Sequence, residues 1–512
     1  MKATLIGREG ALKRQTEAEL ARCGIAVGDS PAECVICLDP QRVQEALAAP
    51  GIQRLVLRSH AYAYGSSTKN PGLMTEDRIS LLPVNSPEQH WLRAEEKALA
   101  FGNCAVIRLA NILDTEEGDV IVKQISKARG LSLAGFDPNV QFISVRDAAR
   151  ALAAAASSTA TGIFNAAGSG AIPLKKVFRA ARTTRISLPA GSKLHPMQYN
   201  WTISGEKAAR ELGFTPEQSS VEALADFPRD KSGSRPGLLA KAYDDYGLDK
   251  DYIRAWGWWF AFLRKVYWRI ENEGLEHIPA AGAAMFVSNH RGFMPLDAVM
   301  HLSLILTHRN RFTRFLIIPS LLRFPFLCNF LTKLGGVIAS QENAARLFAA
   351  GELVGIFPEG IRGSFTPYKS TYKLRDFSKS AFAKIAIENQ VPIVPCAVIG
   401  HSEIFPIIGR INSSYVTKEF GWPYLPIAPM FPLAPIPIPS KWHVRVLDPV
   451  SMQGLRPSDA ENVKLVRDFS RYIQDIVQRN IDDMLPKRKS IFWGKVLNGA
   501  APAVPPFEFR TS

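Results

Sequence analysis

The sequence predicts an α/β protein made of two parallel-sheet units. Three observations carry that expectation. Short β-branched runs bounded by glycine or proline recur along the 512 residues. Helical patterns fall between them. A polar, turn-rich stretch at 226–250 interrupts the alternation near the middle. A chain of this length exceeds what one core usually serves. The expected organisation is a first unit at 1–225, a linker at 226–250, a second unit at 251–495 and a flexible tail at 496–512.

In the first unit, KATLIG reads as the opening strand. LIGREGALKR then turns into a helix, with Gly7 and Gly10 spaced so that backbone N–H groups at a helix start can approach a pyrophosphate. Lys13 stands where a third glycine would let helix and strand pack closely. ECVICLD, IQRLVLRS, CAVIRLA and GIFNAAG read as further strands, with PEQHWLRAEEKALAF and RDAARALAAAA as helices between them. Cys34 and Cys37 form a lone CxxC inside an apolar run. With six cysteines in all, no second pair and no adjacent histidine, they read as buried strand residues, and no metal is expected.

LVLRSHAYAYG, VIRLANIL, VQFISVRDAARAL and GIFNAAGSG, in this order, resemble the extended short-chain dehydrogenase family of NAD-dependent epimerases and dehydratases. The resemblance implies a Rossmann-like fold, NAD(P) as candidate cofactor near Gly7 and Gly10, and a Tyr-x-x-x-Lys pair for proton transfer. The chemistry departs from the family. Glu88 and Leu92 stand at the pair's places, His60 at that of its serine or threonine, and the one Tyr-x-x-x-Lys, Tyr246 to Lys250, falls in the linker. Only three residues separate Asp29, a candidate ribose ligand, from ECVICL, where the family has a further helix and strand. The first unit is therefore read as a shortened, catalytically degenerate Rossmann-like parallel sheet.

In the second unit, AAMFVSNHRGFMPLDAVM reads as strand, loop and helix start, placing His290 at a strand end and Asp297 at a helix start. A neutral imidazole there can take a hydroxyl proton, and an aspartate can orient it. ELVGIFPEGIRG is a strand entering a turn, and VPIVPCAVIG a buried strand between prolines. The three motifs in this order resemble the glycerolipid acyltransferase family, the 1-acylglycerol-3-phosphate acyltransferases among them, over about 270–450. The resemblance implies a C-terminal α/β acyltransferase domain. Acyl-CoA or acyl carrier protein is the donor, no further cofactor is required, and a lysophospholipid or related single-chain lipid is the acceptor. By motif, His290 is the general base and Asp297 its partner, with Asn289, Arg291, Phe357, Pro358, Glu359, Gly360 and Arg362 binding substrate. Two departures stand out. Six residues separate the histidine from the aspartate where the family has four, and Ser340 or Gln341 replaces an arginine of phosphate-binding members. Two alternatives remain: an NAD- or nucleotide-sugar-binding, epimerase- or dehydratase-like enzyme with an accessory acyltransferase half, and a non-catalytic lipid-binding scaffold.

The formal charge is +15, with 36 lysines and arginines against 25 acids in 226–512 and 26 against 22 in 1–225. In 252–270, Trp256, Trp259, Phe260, Leu263, Val266, Tyr267 and Ile270 share one helical face, with Arg254, Arg264, Lys265 and Arg269 opposite. This pattern suits a lipid interface. The charge-free run 421–440 holds seven prolines, which excludes a membrane-spanning helix there. No signal peptide is read at the N-terminus and no nucleic-acid module is found. The expectation is a cytoplasmic enzyme, peripheral on the inner face of the membrane.

Overall fold

The computed structural model describes all residues except 1, 29–30, 193, 228–243, 293, 380, 432–435, 498–503, 506 and 508–512. Two compact units are found: 1–248 with 324–332, and 249–323 with 333–512. Most of the expected linker, Asp29 and most of the expected tail lie outside the described residues. Of that tail, Phe507 packs edge-on against Phe469, with ring centroids 5.1 Å apart.

The first unit is built on a six-stranded parallel sheet. Its strands are β1 (Lys2–Ile6), β2 (Ala26–Val27), β3 (Cys34–Cys37), β4 (Arg54–His60), β5 (Cys104–Leu109) and β6 (Gly162–Ala166), ordered β6-β5-β4-β3-β1-β2. All five strands read from sequence lie in this sheet. The central three are buried along their whole length, their apolar runs carrying buried Arg54, Arg58, Ser59, His60 and Arg108 with them. Helix α1 (Ala11–Arg22) follows β1, α2 (Gln89–Leu99) precedes β5, and α3 (Val145–Ser157) precedes β6. Beyond β1 only the two-residue β2 pairs, so the sheet stops where the family's extra strand would extend it. Burial pushes the Cys34 thiol up to about 11 and that of Cys37 to about 12, as expected of inert strand cysteines.

The second unit holds a seven-stranded sheet: β7 (Glu271–Glu273), β8 (Ala284–Ser288), β9 (Thr313–Ile317), β10 (Val337–Ile338), β11 (Leu353–Ile356), β12 (Ile393–Ile399) and β13 (His443–Val446). The order is β7-β13-β12-β8-β11-β9-β10. Strands β12, β8, β11 and β9 run parallel, and β13 is antiparallel to β12. Because β8 lies between β11 and β12, the ends of all three motif strands meet at one edge of the sheet.

The amphipathic segment begins as a helix, Lys250–Phe262, capped by Asp249, and continues as a π-helical turn, Leu263–Tyr267. Widening by nearly a residue per turn rotates the side chains beyond it. Ahead of that turn, too, the buried and exposed faces differ from those of a regular plot. Phe260 and Leu263, placed on the lipid face by a regular helical plot, are buried, as is Arg264 from the charged face. The exposed stripe is Trp256, Trp258, Trp259, Phe262 and Val266, with Trp258 the most open at 71 %. Trp259 stacks on Phe262 at 5.3 Å and meets Trp258 edge-on at 5.7 Å. Among the described residues no helix is long and apolar enough to cross a membrane.

Candidate active site

His290 leaves the end of β8, and Asp297 lies in the first turn of helix Leu296–Arg309. The intervening loop closes on itself: His290 Nδ1 lies 2.5 Å from Asp297 Oδ2. Gly292, at φ +82°, makes a turn that a side chain would resist, and Pro295 sits at the helix N-cap. Burial opposes ionisation of Asp297. His290, and to a lesser degree His401 and His301, outweigh it and hold the carboxyl below its ordinary value. The Ala298 N–H also donates to Oδ1 at 2.9 Å, consistent with a carboxylate at a helix N-terminus. The aspartate side chain is fully buried, whereas His290 keeps 14 % of its own exposed. With Nδ1 given to the aspartate, Nε2 is left for a substrate, and no bond to it is found among the described residues.

The neighbours expected to bind substrate are placed as follows. Asn289 is buried and works as a side-chain extension of the sheet: it donates to Val398 O (3.0 Å) and accepts from Val398 N (2.9 Å) on β12. Arg291 is buried and donates to the carbonyls of Thr371, His290 (2.7 Å) and Lys373 (3.0 Å), and to Glu359. Glu359 is buried too. Its carboxylate accepts from His290 N (3.2 Å), Arg291 and Arg375 N (2.7 Å). Phe357 stacks on the His290 ring, with centroids 4.5 Å apart at 23°. Pro358 is buried, and Gly360 turns at φ +53°. Arg362 is exposed, and its guanidinium has no ion-pair partner among the described residues. Of Ser340 and Gln341, one of which holds the place of the family's arginine, Ser340 caps helix Gln341–Ala349 by accepting from Asn343 N at 3.1 Å.

Two residues that carried no motif signal complete the surround. His301 stands one helical turn after Asp297, hydrogen-bonds with Ser288 at 3.3 Å and stacks on Phe315. His401 approaches Asn289 at 3.4 Å. Burial pushes these imidazoles down to about 4 and about 3, so both are neutral near pH 7. The i, i+4 relation to Asp297 was the available signal for His301. His443 meets Glu271 at 2.8 Å across β7 and β13.

The first unit has a cavity of about 620 Å³ bordered by Gly10, Lys13, Arg58, His60, Trp91 and Asp119. His60 lies between Trp91 and Trp201, accepts from Tyr62 N at 3.0 Å through Nδ1, and has Nε2 3.3 Å from Asp119. Both ring nitrogens are thus turned to the protein. The residues do not suit a dinucleotide. A Cβ on Gly7 would come within 2.8 Å of Leu38 Cβ, so packing alone already requires that glycine. The Glu116 carboxylate stands 3.2 Å from where a Gly10 Cβ would be, placing negative charge at the start of α1, where a pyrophosphate would sit. Lys13 is paired with Glu9. Among the described residues no group of three potential ligands could hold a metal.

The family model described as Acyltransferase matches residues 269–399. An uncharacterized protein of Mycobacterium leprae is 31 % identical over 307 residues, covering 57 % of this chain and 79 % of that protein. An uncharacterized protein of Mycobacterium tuberculosis is 33 % identical over 46 % of this chain and 66 % of its own length. A Bos taurus protein named "DGAT1/2-independent enzyme synthesizing storage lipids" is 27 % identical over 32 % of this chain and 48 % of its own. Among solved structures, a dTDP-glucose 4,6-dehydratase from Bacillus anthracis with NAD is similar at 14 % identity, 44 % of this chain, 95 % of that one and a TM-score of 0.35. The motif order, the sheet that gathers those motifs and the family-model match converge: the second unit is a domain of the acyltransferase family, and the first unit is built on a Rossmann-like parallel sheet.

Proposed function

We propose that the chain is a lipid O-acyltransferase in which His290 is the general base and Asp297 its orienting partner. The observation that carries this reading is the 2.5 Å His290–Asp297 contact, with the aspartate buried and the imidazole still reachable. Nε2 takes the proton from a lipid hydroxyl as its oxygen attacks the thioester carbonyl of acyl-CoA or an acyl carrier protein. The new C–O bond forms, the C–S bond breaks, and the imidazolium returns the proton to the departing thiolate. Asp297 stabilises the imidazolium, and no acyl-enzyme is required. Phe357 fixes the ring, while Glu359 and Arg291 hold the backbone on either side of it.

The acceptor is a lysophospholipid or another single-chain lipid alcohol. Ser340 or Gln341 in place of an arginine, and a relative named for storage lipids, favour an acceptor with no phosphomonoester to grip. Exposed Arg362 is a cation that an anionic headgroup could use. The Trp258–Trp259–Phe262 stripe supports peripheral binding at a lipid surface, on the cytoplasmic face. The nucleotide-sugar alternative has less support, because His60 replaces the family's hydroxyl and Glu116 stands in the pyrophosphate seat.

Labelled acyl-CoA with lysophosphatidic acid, lysophosphatidylcholine and monoacylglycerol tests the reading, with His290→Ala beside the native chain and acyl carrier protein as second donor. Transfer that vanishes in the variant supports it. Inactivity of both proteins with both donors overturns it.

A further inference from the structure

We infer that the first unit carries a docking face for a small acidic carrier protein that brings the acyl group; the inference rests on the acyl-transfer reading above. Its basis is charge segregation. Residues 120–205 hold eleven lysines and arginines against two acids, Asp137 and Asp147, while the rest of 1–225 holds fifteen against twenty. Asp147 is buried and paired with Arg150 at 2.6 Å, so it offsets that arginine and none of the six cations named below. Asp137 caps a helix through Lys175 N at 2.6 Å.

The fold then joins two stretches that contain no acid, 120–136 and 174–188. Strand Arg129–Leu133 pairs in parallel with strand Thr184–Leu188, setting Arg129 opposite Thr184 and Arg185 opposite Gly130. Thr183 Oγ1 donates to the carbonyls of Ile125 (2.7 Å) and Lys127 (3.0 Å), and Thr184 N donates to Ala128 O (2.9 Å). A Cβ on Gly130 would collide with Phe178, so helix Leu174–Ala180 is held tightly against the pair. Lys123, Lys127 and Arg129 from one stretch and Lys175, Arg179 and Arg185 from the other are all exposed. Among the described residues, strand Thr184–Leu188 has no second strand neighbour.

The chemistry of the face selects its partner. Across the two stretches Ile186 is the one large apolar side chain exposed among the described residues. There is no wedge to enter a bilayer and no exposed aromatic on which bases could stack, in contrast to the tryptophan stripe of the second unit. A dense array of long, flexible cations with little apolar surface suits a folded acidic protein, where complementary charge speeds encounter and fixes orientation. The acyl donor of the proposed reaction can be such a protein.

Binding of full-length protein to purified acyl carrier protein, in acylated and unacylated forms, tests this at low and high salt. The native chain is expected to bind both forms, with affinity falling about tenfold or more between low and high salt. Lys175→Glu/Arg179→Glu/Arg185→Glu is expected to lose at least about tenfold at low salt. It should keep the native melting temperature and native transfer from acyl-CoA. Absent binding by the native chain, or equal binding by the variant, overturns the proposal. So does a triple variant whose loss is confined to vesicles containing phosphatidylglycerol. Salt-sensitive, variant-sensitive binding in a protein that transfers no acyl group from any donor keeps the docking face and overturns the enzymatic reading instead.

Discussion

Glu359 offers the sharpest test of how this site is built. The turn that contains it is expected to contact the acceptor, yet its side chain is wholly buried and accepts from His290 N, Arg291 and Arg375 N. Glu359→Gln keeps the shape but can present only one oxygen to those donors, and it leaves the Arg291 guanidinium buried without a counter-charge. Breaking a buried pair in this way costs about 3–5 kcal/mol. A typical domain has about 5–15 kcal/mol of stability, so the variant stays folded at 25 °C but less stable. Freed from Glu359, the His290 backbone drifts, and kcat is expected to fall about 10–100-fold with KM for the acceptor little changed. Arg291→Met should cost a similar amount. The double variant Arg291→Met/Glu359→Gln should recover part of it, because no uncompensated charge then remains. Urea unfolding and initial rates across acceptor concentrations read both quantities. A Glu359→Gln variant destabilised by under about 1 kcal/mol, with raised KM and native kcat, would refute the reasoning and return Glu359 to the acceptor.

Asp297→Asn should lower kcat by about 10²–10⁴ at pH 7.5 without shifting KM, since the amide cannot stabilise an imidazolium; initial rates check it. Stability should depend on the two buried neutral histidines. Unfolded imidazoles take protons near pH 6.5, whereas His301 and His401 resist until about 4 and about 3. The unfolded state therefore binds more protons below 6.5. Stability is complete above that pH and declines toward pH 4, by up to about 1.4 kcal/mol per pH unit for each histidine. Thermal melts from pH 7.5 to 4.5 should show a shallower decline in His301→Phe, and parallel curves would sink the assignment. Trp258→Ala should weaken sedimentation with anionic vesicles several-fold, by roughly 1 kcal/mol of partitioning; unchanged binding would remove the lipid role from the exposed stripe.

What could be read from sequence was local. Five of the six strands of the first sheet, all but the two-residue β2, announced themselves as short apolar runs, and β8, β11 and β12 did the same in the second unit. His290 and Asp297 lie seven residues apart on a strand end and a helix start, so secondary structure alone nearly brings them together. The rest depended on contacts between distant residues. The Glu359–Arg291 pair joins residues 68 apart, and its burial has no signature in the motif itself. A regular helical plot puts Phe260 and Leu263 on the outward face of 252–270, and their packing into the core leaves no mark in that spacing. The basic face needs two strands 55 residues apart to pair, which no window along the chain displays.

The six-residue spacing between histidine and aspartate gains a physical account in the same way. Two extra residues lengthen a loop, and a longer loop left alone would let the carboxylate wander from the imidazole. Here the loop is fixed at several points. Asn289 is pinned to β12, Gly292 supplies a turn that needs positive φ, and Pro295 starts the helix that carries Asp297. Arg291 lies inside the loop and is anchored by three carbonyls and one carboxylate, two of the carbonyls more than 70 residues away. A buried guanidinium with four acceptors is expensive to desolvate, so its place here is better explained by geometry than by stability. It ties the added length to the Thr371–Lys373 segment and to Glu359, and thereby returns the aspartate to within hydrogen-bonding distance of the base. The longer spacing and the arginine beside the histidine are then one feature.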